Sequence, residues 1–84
     1  MYGDVTGCRV EWNEFPGTLS YGGSSTNDQT VAACQRTCLL TPECVQIDFA
    51  FDENIKCFIH TEVRNNVSAR GVDKYVWIRV DCGQ

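Results

Sequence analysis

Apolar residues follow one helical stretch and several alternating stretches along the chain. From residue 30 to residue 40 they recur at helical spacing and share one face, which carries Val31, Cys34, Cys38 and Leu39. Thr30 suits the N-cap of this helix, and Pro42 stops it because proline disfavours a helical residue before it. We predict one helix over about residues 30–40.

The other apolar residues alternate with polar ones, as in strands that bury one face. Segment 45–51 is the clearest, with Val45, Ile47, Phe49 and Phe51 on one face. A turn at 52–54 and a strand at 56–60 complete a hairpin. Further strands are predicted at 75–80 and 9–12, with a short edge strand at 19–21. One helix on an antiparallel sheet of about four to five strands is an α+β fold.

Six cysteines in 84 residues form a close cluster inside a wide outer pair: Cys8, Cys34, Cys38, Cys44, Cys57 and Cys82. A domain of this size buries little surface and often depends on disulfides, which indicate an oxidising compartment. Cys34 and Cys38 lie one helical turn apart on one face, so each is expected to pair elsewhere. Spacing alone leaves fifteen pairings open.

The helix with its two cysteines, the segments 42–49 and 56–59, and the aromatic strand before Cys82 together resemble the PAN/apple family. In that family a helix carries two cysteines four residues apart, a third follows a short turn, and a fourth lies on the next strand. The resemblance covers nearly the whole chain. It implies the disulfides Cys34–Cys57 and Cys38–Cys44, and, as in apple-type members, a terminal bridge Cys8–Cys82.

A zinc site is the alternative use of these residues, built from Cys38, Cys44, Cys57 and His60. It would leave two cysteines unpaired, and the spacings differ from the short paired spacing typical of structural zinc sites. We therefore expect no metal and no cofactor.

Length predicts a single domain over residues 1–84. The formal net charge of −4 disfavours nucleic acid and anionic membranes as partners. No apolar run approaches the ~20 residues of a membrane-spanning helix. Met1 is followed by polar and glycine residues rather than a secretory signal. With six cysteines, this leads us to expect a module excised from a larger extracellular protein, with Met1 an added start residue.

The chain contains one histidine, His60, and no motif typical of an enzyme. A Cys–His nucleophile would need a free thiolate, whereas all six cysteines are expected in bridges. We predict no enzymatic activity. Asn66-Val67-Ser68 is a glycosylation sequon, so Asn66 is expected in an exposed loop.

Two regions are predicted to be mobile loops, the glycine-rich residues 21–29 and the polar residues 61–74. Loops on a rigid scaffold commonly carry binding function. The candidate ligand-binding residues come from the second loop and from one face of the closing strand: Arg64, Asn65, Arg70, Lys74, Tyr75, Trp77 and Arg79. The three strand residues face solvent only if the helix covers the opposite face.

The resemblance implies a recognition module, because PAN/apple-like domains bind other proteins or carbohydrates. Protein–protein adhesion is our first hypothesis, since the acidic balance weakens binding to sulfated glycans. Glycan binding is the second hypothesis. A structural spacer domain without a ligand is the third.

Overall fold

The computed structural model describes the backbone of residues 9–63 and 65–81, and the side chains of residues 10–63 and 65–77. Its elements are β1 (Arg9–Leu19), β2 (Ser24–Thr26), α1 (Val31–Leu40), β3 (Gln46–Ala50), β4 (Cys57–His60) and β5 (Val67–Asp81). They form one helix and a five-stranded antiparallel sheet, which confirms the predicted α+β class. The predicted bridge Cys8–Cys82, Arg64 and the side chain of Arg79 lie outside the described residues.

The strand order is β1-β5-β3-β4-β2. The predicted hairpin is the pair β3–β4, in which Ile47 lies opposite Ile59. On the other side of β3, Ile47 lies opposite Tyr75 of β5. The two strands that are consecutive in sequence, β1 and β2, lie at opposite edges of the sheet. The residues between them must therefore cross one face of the sheet.

The helix begins and ends where the sequence predicts. The Thr30 hydroxyl accepts a hydrogen bond from the Ala33 N–H at 3.1 Å, which satisfies one free donor of the first turn. At the other end, the Thr41 N–H donates to the Cys38 carbonyl. The helix then stops before Pro42, as proline requires.

Two disulfides attach the helix to the rest of the described chain. Cys34–Cys57 joins it to β4, and Cys38–Cys44 closes the turn that follows it. These are the two inner pairs that the PAN/apple resemblance implies. All four cysteines are buried, and with Ile47 and Phe49 they form the core. Partly buried residues that pack against this core are Trp12, Val31, Ile59, Tyr75 and Trp77.

Strands β1 and β5 are much longer than predicted. Strand β1 continues beyond residue 12 to Leu19, and β5 begins at Val67 rather than at residue 75. Pro16 is tolerated because β1 is an edge strand and one of its sides needs no N–H donors. Gly17 supplies the positive φ of 64° where the register shifts, and its N–H donates to the Asp73 carboxylate.

The predicted edge strand at 19–21 is wrong. Leu19 ends β1, and the edge strand is β2, which lies inside the predicted loop 21–29 and pairs with β4. Likewise, the loop predicted at 61–74 ends at residue 66, because β5 begins at Val67. Serine, glycine and polar residues in these stretches lack the alternating apolar pattern that identifies a strand.

Candidate functional site: a cleft beneath a strap

The sheet has two different faces. Tyr75 and Trp77 lie on the same face as Ile47, which is the face that packs against the helix. This side is called the helix face. Tyr75 and Trp77 are predicted to face solvent only if the helix covers the other face of the sheet. The helix lies on their own face, so that condition is not met, and both rings are half-buried.

The opposite face carries buried polar residues. In β3, Gln46 and Asp48 are 0% and 3% exposed, although strict alternation would turn them to solvent. Their neighbours across the sheet include Lys74 and His60, which are 1% and 3% exposed. These four residues form the buried polar cluster. Residues 20–23, the segment that crosses from β1 to β2, contact Asp48 and His60 of this cluster. We call this segment the strap, and this side of the sheet the strap face.

Asp48 anchors the strap. Its Oδ2 accepts the Ser20 N–H at 2.9 Å and lies 3.0 Å from His60 Nε2, while its Oδ1 accepts from Gln46 Nε2 at 3.1 Å. The Ser20 hydroxyl donates to the Asn65 carbonyl at 3.0 Å, which ties the strap to the chain before β5 as well. A buried carboxylate is stable only when paired and hydrogen-bonded, so these contacts fix the strap at its first residue.

His60 and Gly23 meet at the other end of the strap. Because the ionised carboxylate only accepts hydrogen bonds, His60 Nε2 carries the hydrogen toward Asp48. The other ring nitrogen, Nδ1, is buried and has no hydrogen-bond partner among the described residues. A Cβ on Gly23 would lie 2.7 Å from His60 Nε2, so only glycine fits beside this ring.

Lys74 completes the buried polar cluster. Its ammonium donates to the Asn66 side-chain oxygen and lies 5.6 Å from the centre of the Phe15 ring. Desolvation by burial lowers the pKa of Lys74 below its ordinary value, and the negative charge of Asp48 partly opposes that shift.

A cleft of about 390 Å³ opens beside the strap. This is at the small end of the roughly 300–1,000 Å³ typical of ligand pockets, and it suits one side chain or one sugar ring. The cleft is lined by the sheet residues Asp48, Ala50, Phe58 and Val72, by Leu19 and the four strap residues, and by Glu53. Most of its floor is apolar.

The rim of the cleft carries two exposed side chains. The Tyr21 side chain is 72% exposed on the strap, and Glu53 is exposed in the turn between β3 and β4. Lys56 fixes this turn, because its ammonium donates to the carbonyls of Phe51 and Glu53 at 2.8 and 2.7 Å. An exposed aromatic residue and an exposed acidic residue thus both line a largely apolar cleft.

The candidate residues of the 61–74 segment do not gather at one place. Asn65 is exposed and uses its carbonyl to hold Ser20, whereas Arg70 is exposed on β5. Lys74 is buried in the polar cluster. Asn66 is exposed and its amide oxygen accepts from Lys74, so the sequon lies at the surface as the prediction requires. None of these four residues lines the cleft.

The candidate residues of the closing strand lie on the helix face. Trp77 Nε1 donates to the Cys44 carbonyl at 2.8 Å, and the Tyr75 hydroxyl donates to the Glu14 carboxylate at 3.2 Å. Burial and the neighbouring carboxylates of Glu14 and Asp73 raise the pKa of Tyr75 to about 12. The polar atoms of both rings are thus engaged within the domain.

Sequence reasoning did not identify Asp48, Ser20, Glu53 or Phe58 as parts of a site. Tyr21 enters the predictions only as part of the edge strand 19–21 and of the loop 21–29, and Gly22–Gly23 only as loop residues. The available signal is an aromatic residue followed by two glycines at positions 21–23. The hydrogen-bond partners of Ser20 are Asp48 and Asn65, which lie 28 and 45 residues away in sequence, and no local pattern reveals them.

The zinc alternative is excluded because Cys38, Cys44 and Cys57 are all in disulfides. Among the described residues, no group of three or more histidine, cysteine and acidic side chains could hold a metal ion. No helix in that part of the chain is long and apolar enough to cross a membrane. Comparison with protein-family models, with curated proteins and with solved structures found no match.

Proposed function

We propose that the domain is a non-catalytic extracellular recognition module and that it binds another protein at the cleft beneath the strap. The observation that carries this proposal is the cleft itself, an apolar floor with an exposed Tyr21 at its rim. Exposed aromatic rings commonly anchor protein interfaces, since they bury a large area at a small loss of conformational entropy.

The arrangement around His60 supports a non-catalytic role. Its Nε2 donates to Asp48, and its Nδ1 lacks a hydrogen-bond partner among the described residues. A general base would need a nucleophile within hydrogen-bond reach of the nitrogen opposite the carboxylate. The ring instead supports the strap.

Membership of the PAN/apple family and secretion are parts of the same proposal. The helix pinned to a hairpin by Cys34–Cys57 and Cys38–Cys44 supports the family assignment. A small domain rich in buried disulfides is compatible with an extracellular location.

The test compares two exposed aromatic residues. The tagged domain is screened against an array of extracellular proteins, and hits are measured again with Tyr21→Ala and with Phe51→Ala. Phe51 is 44% exposed but does not line the cleft, so it is the matched control. We expect Tyr21→Ala to weaken binding by about tenfold or more, the loss typical of an interface hot spot, and Phe51→Ala to leave it unchanged. Equal affinities for all three proteins would refute the proposed site.

Glycan binding is the second candidate function. Tyr21 offers a ring face on which a sugar could stack, and Glu53 offers an acceptor for its hydroxyl groups. A glycan array separates the two functions: selective binding of one glycan that is lost with Tyr21→Ala would favour this second candidate. A domain that binds in neither array would support the spacer hypothesis.

A further inference from the structure

The charged side chains that line the cleft have one sign. The two charged residues that line it, Asp48 and Glu53, are both carboxylates. The nearby cations are turned to other partners: Lys56 to backbone carbonyls of its turn, and Lys74 to Asn66 beneath the strap. Neither lysine lines the cleft. The whole chain is also acidic, with a net charge of −4.

The floor of the cleft is apolar and is formed by residues of the sheet. Ala50, Phe58 and Val72 present hydrocarbon surface there, and Glu53 stands at the rim. A ligand that matches both features has an aliphatic stem ending in a positive charge. Lysine and arginine side chains have this form, because they bury their methylene groups while the charged head stays near water.

Tyr21 adds a second attraction for a cation. Tyr21 is 72% exposed on the strap, and it lines the same cleft as Glu53. A cation near an aromatic face is attracted by the ring quadrupole, and a cation near a carboxylate by its charge.

From these features we propose that the cleft binds a lysine or arginine side chain of the partner protein. The stem lies on Ala50 and Val72, and the charged head lies between Glu53 and the Tyr21 ring. This proposal rests on the proposed function, since it names the partner chemistry of the same cleft.

Glu53 rather than Asp48 decides the preference for a cation. Asp48 is 3% exposed and already accepts hydrogen bonds from Ser20, His60 and Gln46. Glu53 is exposed, and its carboxylate has no hydrogen-bond or ion-pair partner among the described side chains. Removing the charge of Glu53 therefore changes the cleft without disturbing the buried polar cluster.

The test uses three small probes that share the same n-butyl chain: n-butylammonium, n-butanol and pentanoate. Each is titrated into the whole isotope-labelled domain, and backbone amide shifts are followed by NMR. We expect n-butylammonium to shift the amides of residues 20–23 and 53, with an affinity about threefold to fivefold higher than that of n-butanol. Pentanoate should bind most weakly, because both lining carboxylates repel it.

Two variants complete the test. Glu53→Gln should bring the affinities of n-butylammonium and n-butanol together, while the matched control Glu11→Gln should leave the preference intact. Glu11 is an exposed carboxylate on β1 that does not line the cleft. A preference for the ammonium that survives Glu53→Gln would overturn the proposal.

The remaining outcomes separate this proposal from the proposed function. Equal affinity of n-butylammonium and n-butanol at the cleft would overturn the cation preference and leave the cleft as a binding site. No shift of the cleft amides, meaning a Kd above about 50 mM, would likewise overturn it. The proposed function is tested separately, by whether the domain binds a protein and whether Tyr21→Ala weakens that binding.

Discussion

Asp48 is the residue on which the strap face depends. Its two oxygens hold the strap through Ser20, the end of β4 through His60, and its own strand through Gln46. A buried carboxylate with three donors is costly to disturb, because all three donors would lose a charged acceptor. The buried polar cluster therefore specifies where the strap crosses the sheet.

Gly23 is predicted to be intolerant of any side chain. In Gly23→Ala the new Cβ would lie 2.7 Å from His60 Nε2 and 2.8 Å from Cε1, and the ring is confined by its bond to Asp48. We expect a loss of about 1–3 kcal/mol in the free energy of unfolding, as for overpacking in a core. Urea denaturation measures it, with Ser24→Ala at the neighbouring exposed position as the control. A Gly23→Ala variant as stable as the parent would show that the strap does not rest on His60.

Tyr75 is predicted to make the free energy of unfolding decrease as the pH rises above about 10. Its pKa is raised from 10.0 to about 12 by burial and by Glu14, so the folded state holds the phenol proton more tightly than the unfolded chain. The stability that this contributes is fully present below pH 10 and is lost as the pH rises through about 12. The Tyr75→Phe variant lacks this loss. Urea denaturation at pH 9 and 11 should show the stability difference between parent and variant shrinking as the pH rises.

A stability difference that is the same at both pH values would contradict this account of Tyr75. The comparison with Tyr75→Phe is needed because the lowered pKa of Lys74 acts in the opposite direction. The unfolded chain holds the Lys74 proton more tightly, so that group increases stability as the pH rises. Both proteins contain Lys74, and its contribution cancels in the difference.

The burial of Gln46 and Asp48 could not be predicted from the sequence. Alternation along β3 correctly separates Ile47 and Phe49 from Gln46 and Asp48, but it assigns the second pair to solvent. The structure buries both pairs, because the strap covers the second face. A residue's burial depends on what lies over it, and for Asp48 that is a segment about thirty residues earlier in the chain.

At the scale of elements, the two described disulfides are expected to contribute unequally. Cys34–Cys57 spans 23 residues and joins the helix to β4, whereas Cys38–Cys44 spans six residues at the end of the helix. In the chain-entropy account, the longer loop contributes about 3–4 kcal/mol and the shorter one about 2–3 kcal/mol. Thermal melting of Cys34→Ala/Cys57→Ala should therefore give a Tm about 4–8 °C below that of Cys38→Ala/Cys44→Ala.

Each double variant removes two buried sulfurs, so the two proteins are matched for lost core volume. A lower Tm for the variant that lacks the short loop would contradict this ranking. We also predict that loss of Cys34–Cys57 damages binding more than loss of the predicted bridge Cys8–Cys82, because Cys34–Cys57 joins the helix to the sheet. The same melting experiment on Cys8→Ala/Cys82→Ala, followed by the binding assay, tests that comparison.

The elements that sequence predicts well are those with strong local signals. The helix has a capping threonine, a terminating proline and cysteines at helical spacing, and its bounds agree with the prediction to within a residue. Strand β2 has no such signal, since Ser24–Thr26 is stabilised only by pairing with β4. Strand β1 passes through Pro16 and Gly17, which normally indicate a turn, because an edge strand accommodates a register shift there.

At the scale of the whole molecule, the two faces of the sheet differ in what they carry. The helix face holds both described disulfides and the apolar core, and its large rings use their polar atoms within the domain. The strap face holds the buried polar cluster and the cleft. The cleft could not be predicted from sequence, because strap, floor and rim come from four separate segments that only the sheet topology brings together.

Hydrogen–deuterium exchange tests most directly whether another protein binds at the cleft. Exchange is measured for the free domain and for the domain bound to a protein captured in the array. A partner that covers a surface slows exchange of the backbone amides beneath it. If the partner binds at the cleft, the backbone amides of residues 19–23 and 53 should exchange more slowly in the complex, and those of α1 should not change. Protection of α1 or of the 61–66 segment, with residues 19–23 unchanged, would contradict it.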